Sequence, residues 1–191
     1  MNKIQDLELN ICGMKISVYD AQPLSPPVHT LVLLHGRKSS RELWLETMRE
    51  MQGVGHRTVA VNIPSGGSAK LRDKGTFMNA LLAALFVTCK PVIVSVSFSS
   101  NFVLPLLESD SLRGWVGVSP TTPPLLSVPT LLIYGELDVK ARPLCEKILR
   151  SKPGNECVTC VMVRGVGKVD HDPVLEHGMW TKELKRFLMD L

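Results

Sequence analysis

The sequence has no apolar stretch near the ~18–20 residues that a membrane-crossing helix needs. It has no run of five or more like charges: 22 Lys and Arg against 18 Asp and Glu give a net charge of +4, spread along the chain. Scattered charge of this size is not the footprint of a nucleic-acid binder. No internal repeat and no low-complexity tract occurs. The N-terminus, Met1-Asn2-Lys3-Ile4-Gln5-Asp6, carries charge without an apolar core behind it, so no secretory leader or membrane anchor is expected. Cysteine is sparse and odd in number: Cys12, Cys89, Cys145, Cys157 and Cys160. That count suits reduced thiols rather than a disulfide scaffold. Cys157-Val-Thr-Cys160 matches a CxxC spacing, but a metal site needs a second ligand pair, and this one sits in a strand-like apolar run.

What is present is apolar: 45% of 191 residues are hydrophobic, enough for one sizeable core. A single domain over 1–191 is expected. Gln22–Pro27 holds three prolines in six residues and reads as a loop. Before it, Leu7–Ile11 and Lys15–Tyr19 read as two strands joined at Gly13. After it, two patterns alternate. Thr30–Leu34, Thr58–Ile63, Pro91–Val96, Gly114–Val118, Thr130–Tyr134 and Cys157–Val163 are short apolar runs. Glu42–Met51, Thr76–Phe86, Ser99–Leu107, Ala141–Leu149 and Trp180–Asp190 have helical spacing, with Pro105 expected to limit or kink the third. Continuous apolar strands are buried on both faces, which implies a parallel sheet covered by helices. The fold class is α/β: a mostly parallel eight-stranded sheet with an antiparallel N-terminal hairpin and helices on both faces. Ser119–Val128 is short and proline-rich, so any lid is minimal.

In such sheets ligands bind beyond the carboxyl ends of the parallel strands. After one of them the sequence reads Ser95-Val-Ser97-Phe98-Ser99 and enters a helix. A nucleophile elbow needs small residues two before and two after its nucleophile. Ile93 is too bulky for Ser95 to be central, and Asn101 disfavours Ser99. Ser97, flanked by Ser95 and Ser99, fits best. A serine-rich turn that merely opens a helix would carry the same residues. Tyr134-Gly-Glu136-Leu-Asp138 puts two carboxylates beyond another strand, and Asp138 is the better placed for a triad acid, with Glu136 the alternative. Asp138 is also a natural cap for the helix near Ala141. Gly165-Val-Gly167-Lys168-Val-Asp170-His171 follows the last strand, where the base in the order Ser…Asp…His belongs. His171 is the candidate, with His177 six residues on. After the first parallel strand, His35-Gly36-Arg37 places the N–H of Arg37 to form an oxyanion hole with that of Phe98. His35 itself reads as a loop brace.

These residues make the chain resemble the α/β-hydrolase family, and within it the α/β-hydrolase domain-containing protein 14 group. The likeness rests on His35-Gly36 with Ser39-Ser40 and Trp44, on the S-x-S-x-S elbow running to Leu104-Pro105, on Tyr134–Asp138, and on Gly165-Val-Gly167. It covers nearly the whole chain. The resemblance implies a Ser97–His171–Asp138 triad acting on small acyl groups, as an ester hydrolase. It further implies a protein-lysine deacetylase activity that passes acetyl to coenzyme A, with no metal or redox cofactor required. Members without a membrane anchor are cytosolic and nuclear, which implies the same location here, a nuclear protein partner, and no membrane or nucleic-acid partner. A monomer is expected. Two positions depart from the group's pattern. Lys168 stands where its His follows Gly-x-Gly, so His171 matches only across an insertion of three. Asn62 stands at a strand end where the group has Asp. The rival reading is a hydrolase-fold binding or scaffold protein with impaired catalysis.

Overall fold

A computed structural model describes residues 3–64, 73–121, 128–151, 157–165 and 179–191. The strands are β1 (Gln5–Ile11), β2 (Met14–Ala21), β3 (Thr30–Leu34), β4 (Arg57–Val61), β5 (Val92–Val96), β6 (Gly114–Val118), β7 (Thr130–Gly135) and β8 (Val158–Val163). The helices are α1 (Leu45–Gly53), α2 (Lys74–Ala84), α3 (Ser100–Glu108), α4 (Ala141–Ser151) and α5 (Met179–Met189). The strands form one sheet in the order β1-β2-β4-β3-β5-β6-β7-β8.

The expected antiparallel start is present. β1 pairs with β2, and β2 with β4, in antiparallel register; every other pairing is parallel. The hairpin turns on Cys12 and Gly13, both with positive φ (51° and 75°). A two-residue turn of that kind matches the right-handed twist of the strands it joins.

Strands β3, β5, β6 and β7 are buried along their whole length, which is why they read as unbroken apolar runs. Alternate side chains leave the sheet on opposite faces. Val32, Leu34, Ile93 and Leu132 join a core with Phe77, Leu81, Phe102 and Leu106 of α2 and α3. Leu31, Leu33, Val94, Val116 and Ile133 join a second core with Trp44 and Met48 and with Trp180 and Leu184 of α5. Helices therefore cover both faces.

Most boundaries shift by one to three residues from the sequence reading, and three differences have a physical reason. A 3₁₀ turn, Arg41–Trp44, precedes α1, so the helix starts at Leu45. β4 ends at Val61 because Asn62 turns its side chain to the amide of Arg41 (2.8 Å). Pro105 lies inside α3 and does not end it. Its ring packs on α2, where a Cβ on Gly75 would come within 3.0 Å of Pro105 Cβ.

Candidate active site

The candidate site residues that the structure describes lie at the carboxyl ends of β3, β5 and β7, with β6 between the last two. β5 runs straight into Ser97, which is half-buried and has φ +53°. The chain then makes a single 3₁₀ turn, Ser97–Ser99, and enters α3. A left-handed backbone at a non-glycine residue costs of order 1–3 kcal/mol, so something must hold it. Ser99 does much of this. Its buried hydroxyl accepts the amide of Val96 (2.8 Å) and faces the carbonyls of Val96 (2.9 Å) and Leu34 (3.1 Å), one of which takes its proton. The elbow is thereby tied to the end of β3. From the far side, the hydroxyl of Thr121 donates to the carbonyl of Ser97 (3.3 Å).

Ser95, the other flank, has a different task. Its buried hydroxyl accepts the indole N–H of Trp115 (2.8 Å). Trp115 lies over Gly117, where a Cβ would sit 2.8 Å from the indole ring. Gly117 is also the register partner of Ser95. Ser95, Trp115 and Gly117 therefore interlock beneath the elbow.

After β3 the chain turns at His35-Gly36. Gly36 lies against the end of β5, since a Cβ there would meet Val96 Cγ1 at 3.6 Å. The guanidinium of Arg37 sits 5.4 Å above the Phe98 ring. The two residues expected to form the oxyanion hole are thus neighbours. His35 is a brace: its Nε2 accepts the amide of Ile63 (3.2 Å), leaving Nδ1–H to donate to the carbonyl of Gly36 (2.6 Å). Burial holds its pKa below the ordinary histidine range, against the opposing pull of that carbonyl.

Beyond β7, Asp138 is 3% exposed. Its Oδ1 accepts the amides of Lys140 (3.0 Å) and Ala141 (2.9 Å), so it caps α4 as well as lying at the expected strand end. Glu136 turns the other way, and its Oε2 accepts the amide of Gly165 (2.9 Å) at the exit of β8. One strand, β6, separates Ser97 from Asp138 in the sheet. Two strand spacings come to about 10 Å, room for an imidazole between them. His171, His177 and Lys168 lie outside the described residues.

Among the described residues, no group of three or more His, Cys, Asp or Glu could hold a metal ion. Cys157, just before β8, is exposed, and Cys160, within it, is half-buried. Burial pushes the Cys160 thiol up to about 11, so it stays protonated near neutral pH.

Sequence reasoning did not find Thr121, the Trp115–Gly117 interlock or the Glu136–Gly165 contact. It also missed Ser119, which follows β6 with φ +46° and a fully buried hydroxyl. Each depends on strands meeting across the sheet and leaves no local pattern.

Comparison with known proteins gives consistent neighbours. No family model matches the chain. It is similar to human "Putative protein-lysine deacylase ABHD14B", 30% identical over 152 residues, covering 68% of this chain and 72% of that protein. It is similar to zebrafish (Danio rerio) "Protein ABHD14A", 30% identical over 147 residues, covering 67% of this chain and 54% of that protein. The chain thus spans little more than half the length of that second relative. Among solved structures, a predicted CIB-like hydrolase from Thermoplasma acidophilum superposes with a TM-score of 0.80 at 19% identity, covering 99% of both chains. XC6422 from Xanthomonas campestris, described as a serine hydrolase without lid, gives 0.73 at 16% identity, covering 100% of this chain and 95% of that one. Both structural likenesses concern the fold.

Proposed function

Because the chain belongs to the α/β-hydrolase family, in its ABHD14 group, we propose that it is a serine hydrolase that moves small acyl groups through an acyl-enzyme on Ser97. The observation that carries the reading is the backbone of Ser97, left-handed at the turn from β5 into α3. Strain of this kind concentrates where a side chain must be presented for chemistry.

In this reading Ser97 Oγ attacks the acyl carbonyl while His171 takes its proton. Asp138 orients the imidazole and stabilises its charged form. The amides of Arg37 and Phe98 bind the oxyanion, each donor contributing roughly 2.7–4 kcal/mol in comparable sites. The acyl C–O or C–N bond then breaks, and His171 returns the proton to the departing oxygen or nitrogen. Water, or a thiol, attacks the acyl-enzyme with the same base and frees Ser97. The substrates proposed are acetyl esters and acetylated lysine, with coenzyme A as an acceptor. A cytoplasmic and nuclear location and a monomeric state belong to the same proposal.

Single-turnover reaction with a small activated acetyl ester tests it, with mass spectrometry locating the adduct. The expected result is one acetyl group on Ser97, and no turnover in Ser97→Ala or His171→Ala. Turnover that survives His171→Ala transfers the role of base to His177. The absence of any adduct across a series of acyl groups overturns the enzymatic reading in favour of a binding protein.

A further inference from the structure

The loop that leaves β3 is held from the neighbouring strand β4. His35 is 2% exposed, and its ring reaches Ile63, just past the end of β4, where Nε2 accepts the amide (3.2 Å). An amide can only donate, so Nε2 carries no proton and the neutral ring has its hydrogen on Nδ1. That hydrogen goes to the carbonyl of Gly36 (2.6 Å). The amide of Ser39 donates to the same oxygen (3.2 Å). Further along, Asn62 holds the amide of Arg41 (2.8 Å). The loop is thus fastened at both ends to the two residues that follow β4.

The carbonyl of Gly36 and the amide of Arg37 belong to one peptide unit. A trans peptide is planar, so its C=O and N–H point in opposite directions, and fixing one fixes the other. Glycine restrains the rotation of this plane only weakly, so its orientation must be set from outside. His35 and Ser39 hold the carbonyl, and the amide of Arg37 is turned away from them. Among the described residues that amide has no acceptor. Gly36 packs against the end of β5, where a Cβ would meet Val96 Cγ1 at 3.6 Å and the Val96 carbonyl at 3.9 Å. Ser97 is the next residue. An unspent N–H beside the nucleophile is what a developing oxyanion requires.

Resting on the serine-hydrolase reading above, we propose that His35 is a positioning residue of the oxyanion hole: its Nδ1–H grips the Gly36 carbonyl and so aims the Arg37 amide at the developing negative charge. The bond to Ile63 sets the tautomer and holds the ring in place for that task. His35 does not touch the reacting atoms; it acts through one peptide plane.

Substitution can separate the two ring nitrogens. His35→Asn places an amide N–H near the Nδ1 position and is too short to reach Ile63. His35→Gln carries an acceptor toward Ile63 and leaves no donor near Nδ1. His35→Phe keeps a ring and removes both bonds. Nitrogen chemical shifts of His35 in the parent chain report the tautomer whether or not the chain is active. The expected ring is protonated on Nδ1 and bare on Nε2. Steady-state kinetics with the acetyl ester report the positioning. Full loss of one oxyanion donor costs about 10²–10³ in kcat, which is the ceiling for a misaimed amide. His35→Phe and His35→Gln should lower kcat by at least about tenfold with KM within about twofold, because the interaction is made only in the transition state. His35→Asn should recover most of kcat. Each of the Asn and Gln variants gives up one hydrogen bond, so their denaturant midpoints should be similar. Trifluoroacetone supplies a third readout. Ser97 Oγ bonds to its carbonyl carbon, the hydroxyl proton passes to the base, and the carbonyl oxygen becomes the anion in the hole. Its Ki should rise across the variants in step with the fall in kcat/KM.

A parent ring protonated on Nε2 overturns the geometry. Full kcat in His35→Phe and His35→Gln overturns the positioning role and leaves a structural brace. A kcat that follows the denaturant midpoint, with His35→Asn as impaired as His35→Gln, overturns it as well. Should His35→Phe not fold, the Asn and Gln pair decides alone. A parent chain that never forms the Ser97 adduct overturns the serine-hydrolase reading and the positioning role with it, a failure told apart by its presence before any substitution at His35.

Discussion

The two ends of the sheet expend stability in different ways. At the carboxyl ends the expense is mainly conformational. Five non-glycine residues among those described have positive φ, and three of them, Cys12, Phe86 and Asp110, are exposed. The other two, half-buried Ser97 and fully buried Ser119, follow directly on the adjacent strands β5 and β6. At the amino ends the expense is electrostatic. His29 and His56, which lead into β3 and β4, stack with ring centroids 5.4 Å apart and are about nine-tenths buried. His29 Nε2–H donates to the carbonyl of Leu188 in α5 (3.1 Å), whereas His56 Nδ1 has no partner among the described residues. Strain alone therefore does not mark a site. What sets Ser97 and Ser119 apart is their place at two neighbouring strand ends.

The largest expected break in this comparison is Ser97→Ala. In the proposed mechanism it removes the nucleophile, and turnover of an acetyl ester should fall by about 10³-fold or more. Thermal stability should barely change, because the serine hydroxyl is not what holds the elbow. Retained turnover together with a lowered Tm would mean the reverse, a structural serine.

Next in size is Gly117→Ala. The added Cβ would lie 2.8 Å from the buried indole of Trp115 and 3.1 Å from Leu132. Overpacking at such a site costs typically about 1–3 kcal/mol. Trp115 must move, and its bond to Ser95 moves with it, so both denaturant midpoint and kcat should drop. The equivalent addition at Gly36, where the nearest atom is 3.6 Å away, should be mild in stability. Equal losses at the two glycines would refute the interlock.

How much of this was legible follows from the range of each interaction. The central strands were legible because burial on both faces leaves an unbroken apolar run. The elbow was legible because sterics act within five residues. The tasks of its flanking serines were not, since Ser99 reaches Leu34, 65 residues away, and Ser95 meets Trp115, 20 residues away. The contact of Glu136 with Gly165 was not legible for the same reason, because the two lie 29 positions apart. Pro105 was expected to limit α3, and it is accommodated by a glycine on another helix.

The amino end should respond to pH. Burial lowers the pKa of both His29 and His56, reinforced in His56 by its neighbour, and opposed in His29 by the Leu188 carbonyl and aided by nearby Arg113. The folded state therefore favours neutral rings. The unfolded chain takes up protons near pH 6.5, the ordinary value. Stability is fully present above about pH 6.5 and is lost as pH falls from there through the lowered folded values. His35 adds to the same trend from the other end. Replacing His56 with Phe keeps a ring against His29 and removes one titrating group. The variant should lose less Tm between pH 7 and 5 than the parent. An unchanged pH profile would show that the stack does not govern acid stability.

The smallest effect sharpens the comparison most. Ser119 Oγ at the carboxyl end and Thr58 Oγ1 at the amino end are both fully buried hydroxyls without a hydrogen-bond partner among the described residues. Leaving such a group unsatisfied costs about 1–3 kcal/mol. Ser119→Ala and Thr58→Val each remove the hydroxyl while keeping the volume close to the original, so each should raise stability by up to about 1 kcal/mol. Ser119→Gly should add relief of the left-handed strain, offset in part by the greater freedom of glycine in the unfolded chain. If stability were the only consideration, the two hydroxyls would be equivalent. The comparison predicts that they are not. Thr58→Val should leave the kinetics alone, whereas Ser119→Ala, just past the end of β6, the strand between those that lead to Ser97 and Asp138, should gain stability and lose turnover. A gain in stability with full turnover in both variants would reduce Ser119 to the same standing as Thr58, and strain at the carboxyl ends would then bear on function at Ser97 alone.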